Sequence, residues 1–310
     1  MEKIKIIVDS GNSINLEEAK KYNIGIVPFK IHFGDTSYTD QIDLESEEFF
    51  EKLKNTEEKV STSIPGVGEF VEILEKYIEE GYNKILCFSI SSHLSGMNNM
   101  MNLAKDHIEN KNVTIDIIDT KIASLPLYFI ATKAAKSAIK GKKYEEIYKR
   151  AIKDVEKANI YVRAESLDYL VKGGRLPKSI GKVANLINFT PIFTMKDGEI
   201  KIAKKVIGRK KSFQEIAKII KKKIKDKKEY GLAIGGGASF EEIKIIKELL
   251  KEEIKNAKIY KEMTVPPVFG VHLGPKSILL SVVDYENWKV KQAKTWAEPQ
   301  NPEYGWRGFF

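Results

Sequence analysis

Ser89-Ile90-Ser91-Ser92-His93-Leu94-Ser95-Gly96 lies between an apolar run, Ile85-Leu86-Cys87-Phe88, and apolar residues at helical spacing, Met97, Met100, Met101, Ala104 and Ile108. That order reads as a strand, a hydroxyl-rich turn and a helix. The first turn of a helix leaves backbone N–H groups without intrahelical partners, and the aligned peptide dipoles place partial positive charge there. A carboxylate or phosphate binds well at such a place, and serine hydroxyls add donors without adding charge. In an open α/β sheet this strand-to-helix turn is also where ligands lie. Helix capping alone would account for one serine. Four serines within seven residues exceed that need, so the turn is read as an anion site.

Working outward, Ile4 to Val8, Ile24 to Val27 and Val113 to Ile118 are short apolar runs of the kind that buried parallel strands show. Phe29 to Tyr38 alternates around Phe33-Gly34-Asp35-Thr36 and predicts a hairpin. Lys59-Val60-Ser61-Thr62-Ser63-Ile64-Pro65-Gly66 reads as a second hydroxyl-rich loop before a helix, whose apolar face is Val67, Phe70, Val71, Leu74, Tyr77 and Ile78. Helices are predicted over Leu16–Tyr22, Leu44–Leu53 and Leu127–Ile139, with another from Tyr144 to Val155. Alternating strands and helices imply a parallel sheet covered on both faces, assigned to residues 1–158.

Residues 159–283 read as a second, mixed α/β domain. Strands are predicted at Ile160–Val162, Ile192–Met195, Ile200–Val206, Leu232–Ile234, Lys258–Glu262 and Ile278–Val283. Asp197-Gly198 is a strong hairpin signal between the second and third of these. Gly173-Gly174 stops a helical turn at Leu167–Val171, and helices are expected at Ile180–Ile187, Phe213–Ile224 and Phe240–Ile254. Residues 284–310 form an extension holding all three tryptophans, Trp288, Trp296 and Trp306. So many aromatics predict that it folds back onto the chain, the alternative being a docking segment.

The formal charge of +9 is spread through alternating Lys/Glu patches, which argues for solvated helix faces rather than a nucleic-acid footprint. Lys221-Lys222-Lys223 and Lys227-Lys228 remain candidates for an acidic partner or anionic lipid. A single cysteine, Cys87, fits a reducing cytoplasm, and neither a signal-peptide core nor a membrane-length apolar run is found. The four histidines, His32, His93, His107 and His272, lack metal-ligand spacing, so no metal is expected. His107 falls beside an apolar helix face and is read as a core or boundary residue. His272 lies in the Pro/Gly-bounded segment Val265 to Pro275, read as a loop, and is either a donor to an anion or a satisfied turn residue. A serine hydrolase would use Ser95, His272 and Asp119 or Asp9. Against it, His93-Leu94-Ser95-Gly96-Met97 lacks the first glycine of a nucleophile elbow. Gly235-Gly236-Gly237-Ala238-Ser239 lacks the Lys-Ser/Thr of a phosphate-binding loop and reads as a tight turn.

Six ordered motifs resemble those of the DegV family of fatty-acid-binding proteins, which includes the binding subunits of bacterial fatty acid kinases. They are Asp9-Ser10-Gly11, Thr62-Ser63-Ile64-Pro65, Ser91-Ser92-His93-Leu94-Ser95-Gly96, Asp119-Thr120 with Ala123-Ser124, Leu167 to Leu176 around Gly173-Gly174-Arg175, and His272-Leu273-Gly274-Pro275. Ile64 stands where the family usually has Gln, and His93 where it has Gly. The resemblance implies a two-domain α/β protein holding a long-chain fatty acid between its domains. It places Thr62, Ser95 and His272 at the carboxylate, with Ser63, Ser92 and Gly96 supporting them. It further implies an ATP-using kinase subunit as partner, with Arg175 and Arg209 as docking candidates, no cofactor, and no catalysis by this chain alone. From its spacing, the apolar helix at Ile180–Ile187 is either hinged by Gly173-Gly174, which would allow a transient membrane contact, or packed rigidly in the second domain. A carrier or sensor of another amphipathic acid is the reading that lacks phosphorylation.

Overall fold

The computed structural model describes residues 2–164, 166–176 and 189–285. The predicted helix at Ile180–Ile187 and the aromatic extension from residue 286 onward lie outside the described residues.

Strands β1 (Ile4–Asp9), β2 (Ile24–Val27), β6 (Lys84–Ser89) and β7 (Thr114–Asp119) form a four-stranded parallel sheet in the order β2-β1-β6-β7. Its central members are apolar on both faces, and Ile6, Ile7, Val8, Leu86, Cys87 and Phe88 are buried. Parallel strands need long crossovers, which the helices between them supply. After β2 the chain makes a hairpin, β3 (Lys30–Phe33) with β4 (Thr36–Thr39), as the alternation predicts. The segment read as a second hydroxyl loop is instead largely a strand, β5 (Val60–Ser63), antiparallel to β3 with Thr62 opposite Ile31. β-Branched Val60 and Thr62 favour that state once β3 offers a pairing edge, a partner local reading does not see. Ten residues of helix α2 (Ser46–Asn55) precede it, after the six-residue α1 (Leu16–Lys21).

Four helices serve the parallel sheet: α3 (Val67–Glu79), α4 (Met97–Asp106), α5 (Leu125–Ile139) and α6 (Tyr144–Lys157). His107, expected at a core boundary, is exposed as the C-terminal cap of α4, because the helix ends one residue before it.

The second sheet has the order β10-β9-β8-β13-β11-β12. Its strands are β8 (Tyr161–Arg163), β9 (Phe189–Lys196), β10 (Glu199–Ile207), β11 (Tyr230–Gly236), β12 (Ile259–Thr264) and β13 (Ile278–Asp284). Only β11 and β12 pair in parallel, so the sheet is mixed. Gly235 and Gly236 belong to β11 rather than to a turn. Helix α7 (Asp168–Lys172) ends at Gly173, and α8 (Arg209–Ile224) follows β10. The predicted helix Phe240–Ile254 is broken at Leu250 into α9 (Phe240–Leu249) and α10 (Lys251–Asn256). The segment around His272, read as a loop, is the short helix α11 (Pro267–Leu273), started by proline at its first position.

The two sheets share a core. One buried cluster joins Ile6, Phe88 and Phe129 to Phe193, Ala233 and Leu279. A smaller cluster around Ile216, Leu232 and Leu280 lies within the second sheet and its helices. Where α11 meets α2, a Cβ at Gly270 would stand 2.2 Å from Phe49, so only glycine admits the ring.

Candidate functional site

Between the sheets lies an apolar cleft that is open to solvent, lined mainly by hydrophobic side chains with a few polar groups among them, the usual make-up of a small-molecule site. Ile90, Leu94, Val162, Phe193, Met195 and Ile200 give it greasy walls. Thr62, Ser95, Arg175 and His272 bring polar atoms to the same cleft. The structure thus unites the three predicted head-group residues and adds an arginine.

Most hydroxyls of the Ser89–Ser95 stretch are engaged in building the turn. Ser89 Oγ accepts from Asn98, Ser91 Oγ donates to the Gly198 carbonyl at 2.6 Å, and Ser92 Oγ donates to Asp119 at 2.6 Å. Ser95 lines the cleft; its Oγ accepts from the Met97 N–H at 3.2 Å. That leaves its own proton for a ligand. Gly96 is the N-terminal cap of α4 and lies beside Ile64 of the Thr62 segment. Ser63 turns to solvent and pairs with His32 at 2.8 Å, and Ser92 is exposed, so neither reaches the cleft.

The β9–β10 hairpin clamps the turn from the other side. Asp197 and Gly198 have φ of 52° and 84°, the paired positive values of the tight hairpin turn that Asp-Gly predicts. A Cβ at Gly198 would come within 2.7 Å of His93 and 2.9 Å of Ser91, so the tip fits against the turn only as glycine.

His272 Nε2 lies 3.0 Å from Thr62 Oγ1, whereas its Nδ1 is buried with no hydrogen-bond partner. Burial, reinforced by the Arg175 charge, pushes its pKa down to about 3, so the ring is neutral. A buried N–H without an acceptor is costlier than a bare ring nitrogen, which puts the proton on Nε2. Nε2–H then donates to Thr62, and the Thr62 hydroxyl is left to donate into the cleft. Gly173 seals the other ring nitrogen: a Cβ there would lie 2.2 Å from Nδ1. Arg175 Nε donates to the Leu94 carbonyl at 3.3 Å, tying the Gly173–Gly174 turn to the serine turn, and burial lowers its pKa. Spacing did not reveal this placement, because a short helix and a turn determine where the arginine falls. Arg209 stands elsewhere, in an ion pair with Glu242 and 5.3 Å from the Phe213 ring centre.

The hydrolase triad is not assembled. Asp119 holds Ser92 and the Lys121 N–H, and Asp9 holds the Ile90 and Gly11 N–H groups. His272 pairs with Thr62 rather than Ser95. Among the described residues, no group of three or more His, Cys, Asp or Glu is placed to hold a metal, and no helix is long and apolar enough to cross a membrane.

Residues 3–284 match the sequence profile described as an uncharacterised protein family, DegV. The chain belongs to the DegV family. A DegV domain-containing protein of Clostridium acetobutylicum is 32% identical over 289 residues, covering 92% of this chain and all of the relative. A second, from Clostridium perfringens, is 31% identical over 290 residues. Among solved structures, the Bacillus subtilis DegV, a fatty acid binding protein, superposes with a TM-score of 0.82 at 25% identity, covering 91% of this chain and 99% of its own. A stearic acid-binding protein from Eubacterium ventriosum gives 0.77 at 25% identity, covering 92% and 99%. A DegV-family protein from Ruminococcus gnavus, solved with vaccenic acid, gives 0.76 at 26% identity, covering 91% and 100%.

Proposed function

We propose that this DegV protein binds a long-chain fatty acid in the cleft between its sheets, with the carboxylate at Thr62, Ser95 and His272. The observation that carries the reading is one apolar cleft with neutral donors and a half-buried arginine among its walls. Burying an acyl chain contributes about 0.8 kcal/mol per methylene, on the order of 10 kcal/mol gross for a common long chain. The chain supplies affinity, and the donors orient the head group. Arg175 adds the positive charge that the neutral donors lack. A stearic acid-binding protein and a DegV-family protein solved with vaccenic acid, both similar in fold to this chain, support the ligand class.

In the same reading the chain is not itself an enzyme. It presents the carboxylate to an ATP-using subunit that forms the acyl phosphate, with Arg175 and Arg209 as contacts and a transient membrane encounter for loading. Native mass spectrometry of the purified protein, followed by denaturing extraction, tests the ligand. One co-purified fatty acid per chain is expected. Turnover of an ester that disappears with Ser95→Ala would replace the reading with a hydrolase. Unchanged acyl phosphate formation by an Arg175→Ala, Arg209→Ala double variant would remove the docking role.

A further inference from the structure

Three residues of the cleft wall hang by their backbone from one buried polar cluster. The Ile90 N–H donates to Asp9 Oδ2 at 2.6 Å, the Phe29 N–H to Ser10 Oγ at 3.0 Å, and the Val268 N–H to Asp40 Oδ1 at 3.3 Å. Ser10 Oγ in turn donates to Asp40 Oδ2, and the Gly11 N–H fills Asp9 Oδ1 at 2.9 Å. The cluster joins the end of β1, the segment after β4, the serine turn and the helix that carries His272. Asp9, Ser10 and Asp40 are each 0% exposed.

Two carboxylates therefore lie together behind the cleft with no cation bonded to either among the described residues. The charged and titratable groups on the surrounding elements are otherwise engaged. Asp43 accepts from the Thr39 N–H, Lys30 pairs with Glu69, and Lys133 on α5 pairs with Asp154. Asp119 holds Ser92, Arg175 holds backbone carbonyls, and His272 holds Thr62. His93 faces the hairpin tip, and α2 presents the apolar rings of Phe49 and Phe50 to α11.

We propose that Asp9, Ser10 and Asp40 are positioning residues whose carboxylate pair takes up a proton when an anionic head group enters the cleft. The inference rests on the fatty-acid reading. An ionised pair behind the wall repels an incoming carboxylate through a medium of low dielectric, and a protonated pair does not. Burial raises both carboxyls to about 7, and the Asp9 charge adds to the effect on Asp40, so the pair titrates where a fatty acid is already ionised. Neutral Thr62, Ser95 and His272 carry no charge to oppose that repulsion; Arg175 at the cleft wall opposes part of it, and each proton that the pair takes up lowers it further.

Isothermal titration with laurate and with dodecanol, between pH 6 and 8, is the test. Laurate should bind about tenfold more weakly at pH 8 than at pH 6, and uncharged dodecanol equally at both. At pH 7, two buffers of different ionisation enthalpy should report uptake of a fraction of a proton per laurate. Asp40→Asn should flatten the profile and bind laurate more tightly than the wild type at pH 8. If that variant does not fold, proton uptake by the wild type decides. Laurate binding with a flat profile and no proton uptake overturns the linkage and leaves the fatty-acid reading standing. Absence of binding by laurate and by the longer palmitate overturns both.

Discussion

Thr62 and Ser95 reach the cleft from different elements, one on an antiparallel strand and one on a strand-to-helix turn. Each offers one hydroxyl proton to a charged acceptor. Replacing either by alanine should weaken fatty-acid binding by about 1–2 kcal/mol, the worth of a hydrogen bond to a charged group. Titration of both single variants and the double variant checks this; unchanged affinity in all three would exclude them as head-group donors. His272 carries a second prediction. Its pKa stands near 3 in the folded chain, below the usual 6.5. Between these values the unfolded chain binds a proton that the folded chain refuses. The stability it contributes is therefore present above pH 6.5 and lost as pH falls through 3. Asp9 and Asp40 act in the opposite sense, contributing stability below pH 3.8 that is lost as pH rises through 7. Melting curves of His272→Gln against the wild type should diverge least at acid pH, because the variant lacks the group that must stay neutral. A constant difference from pH 7 to pH 4 would contradict the burial argument.

Glycines determine how closely the elements can approach. Gly173 ends α7 directly against the His272 ring, and Gly270 places α11 against Phe49. Gly173→Ala should displace the imidazole and lose fatty-acid affinity by about 1–3 kcal/mol, the usual cost of forcing a methyl into a filled site. Its melting temperature should change less than that of Gly270→Ala, whose methyl would enter the main core. Equal affinity for Gly173→Ala and the wild type would mean that the ring is not held there. Ser91 belongs to the same scale, because its hydroxyl fastens the β9–β10 hairpin to the turn rather than meeting a ligand.

The molecule is built on a core that runs through both sheets. With Ile6 and Phe88 in one cluster with Phe193, Ala233 and Leu279, neither sheet can lose its packing alone. Calorimetry should show a single unfolding transition, and two separated transitions would contradict the shared core. A fatty acid at a hundredfold excess over its dissociation constant should stabilise the fold by about 2.7 kcal/mol, read as a higher melting temperature. Urea titrations with and without ligand give the same quantity independently.

Much of this architecture is legible in the chain because its signals are local. Continuous apolar runs mark the strands of the parallel sheet, Asp197-Gly198 marks the β9–β10 hairpin of the mixed sheet, and the apolar stripe from Val67 to Ile78 marks α3. Ordered motifs also pointed to Thr62, Ser95 and His272, which the fold brings to one cleft. Other features depend on partners far along the chain. Pairing with β3 makes Val60–Ser63 a strand, and Asp119, Asn98 and Gly198 claim the serines that seemed in excess. Arg175 enters the cleft only because α7 stops where it does. Asp9 and Asp40 become an acid pair only because separate segments bury them together, with no cation bonded to either among the described residues. Periodicity and turn chemistry act over a few residues, so sequence conveys them. Desolvation and hydrogen-bond satisfaction are properties of the packed chain, and only the tertiary structure decides them.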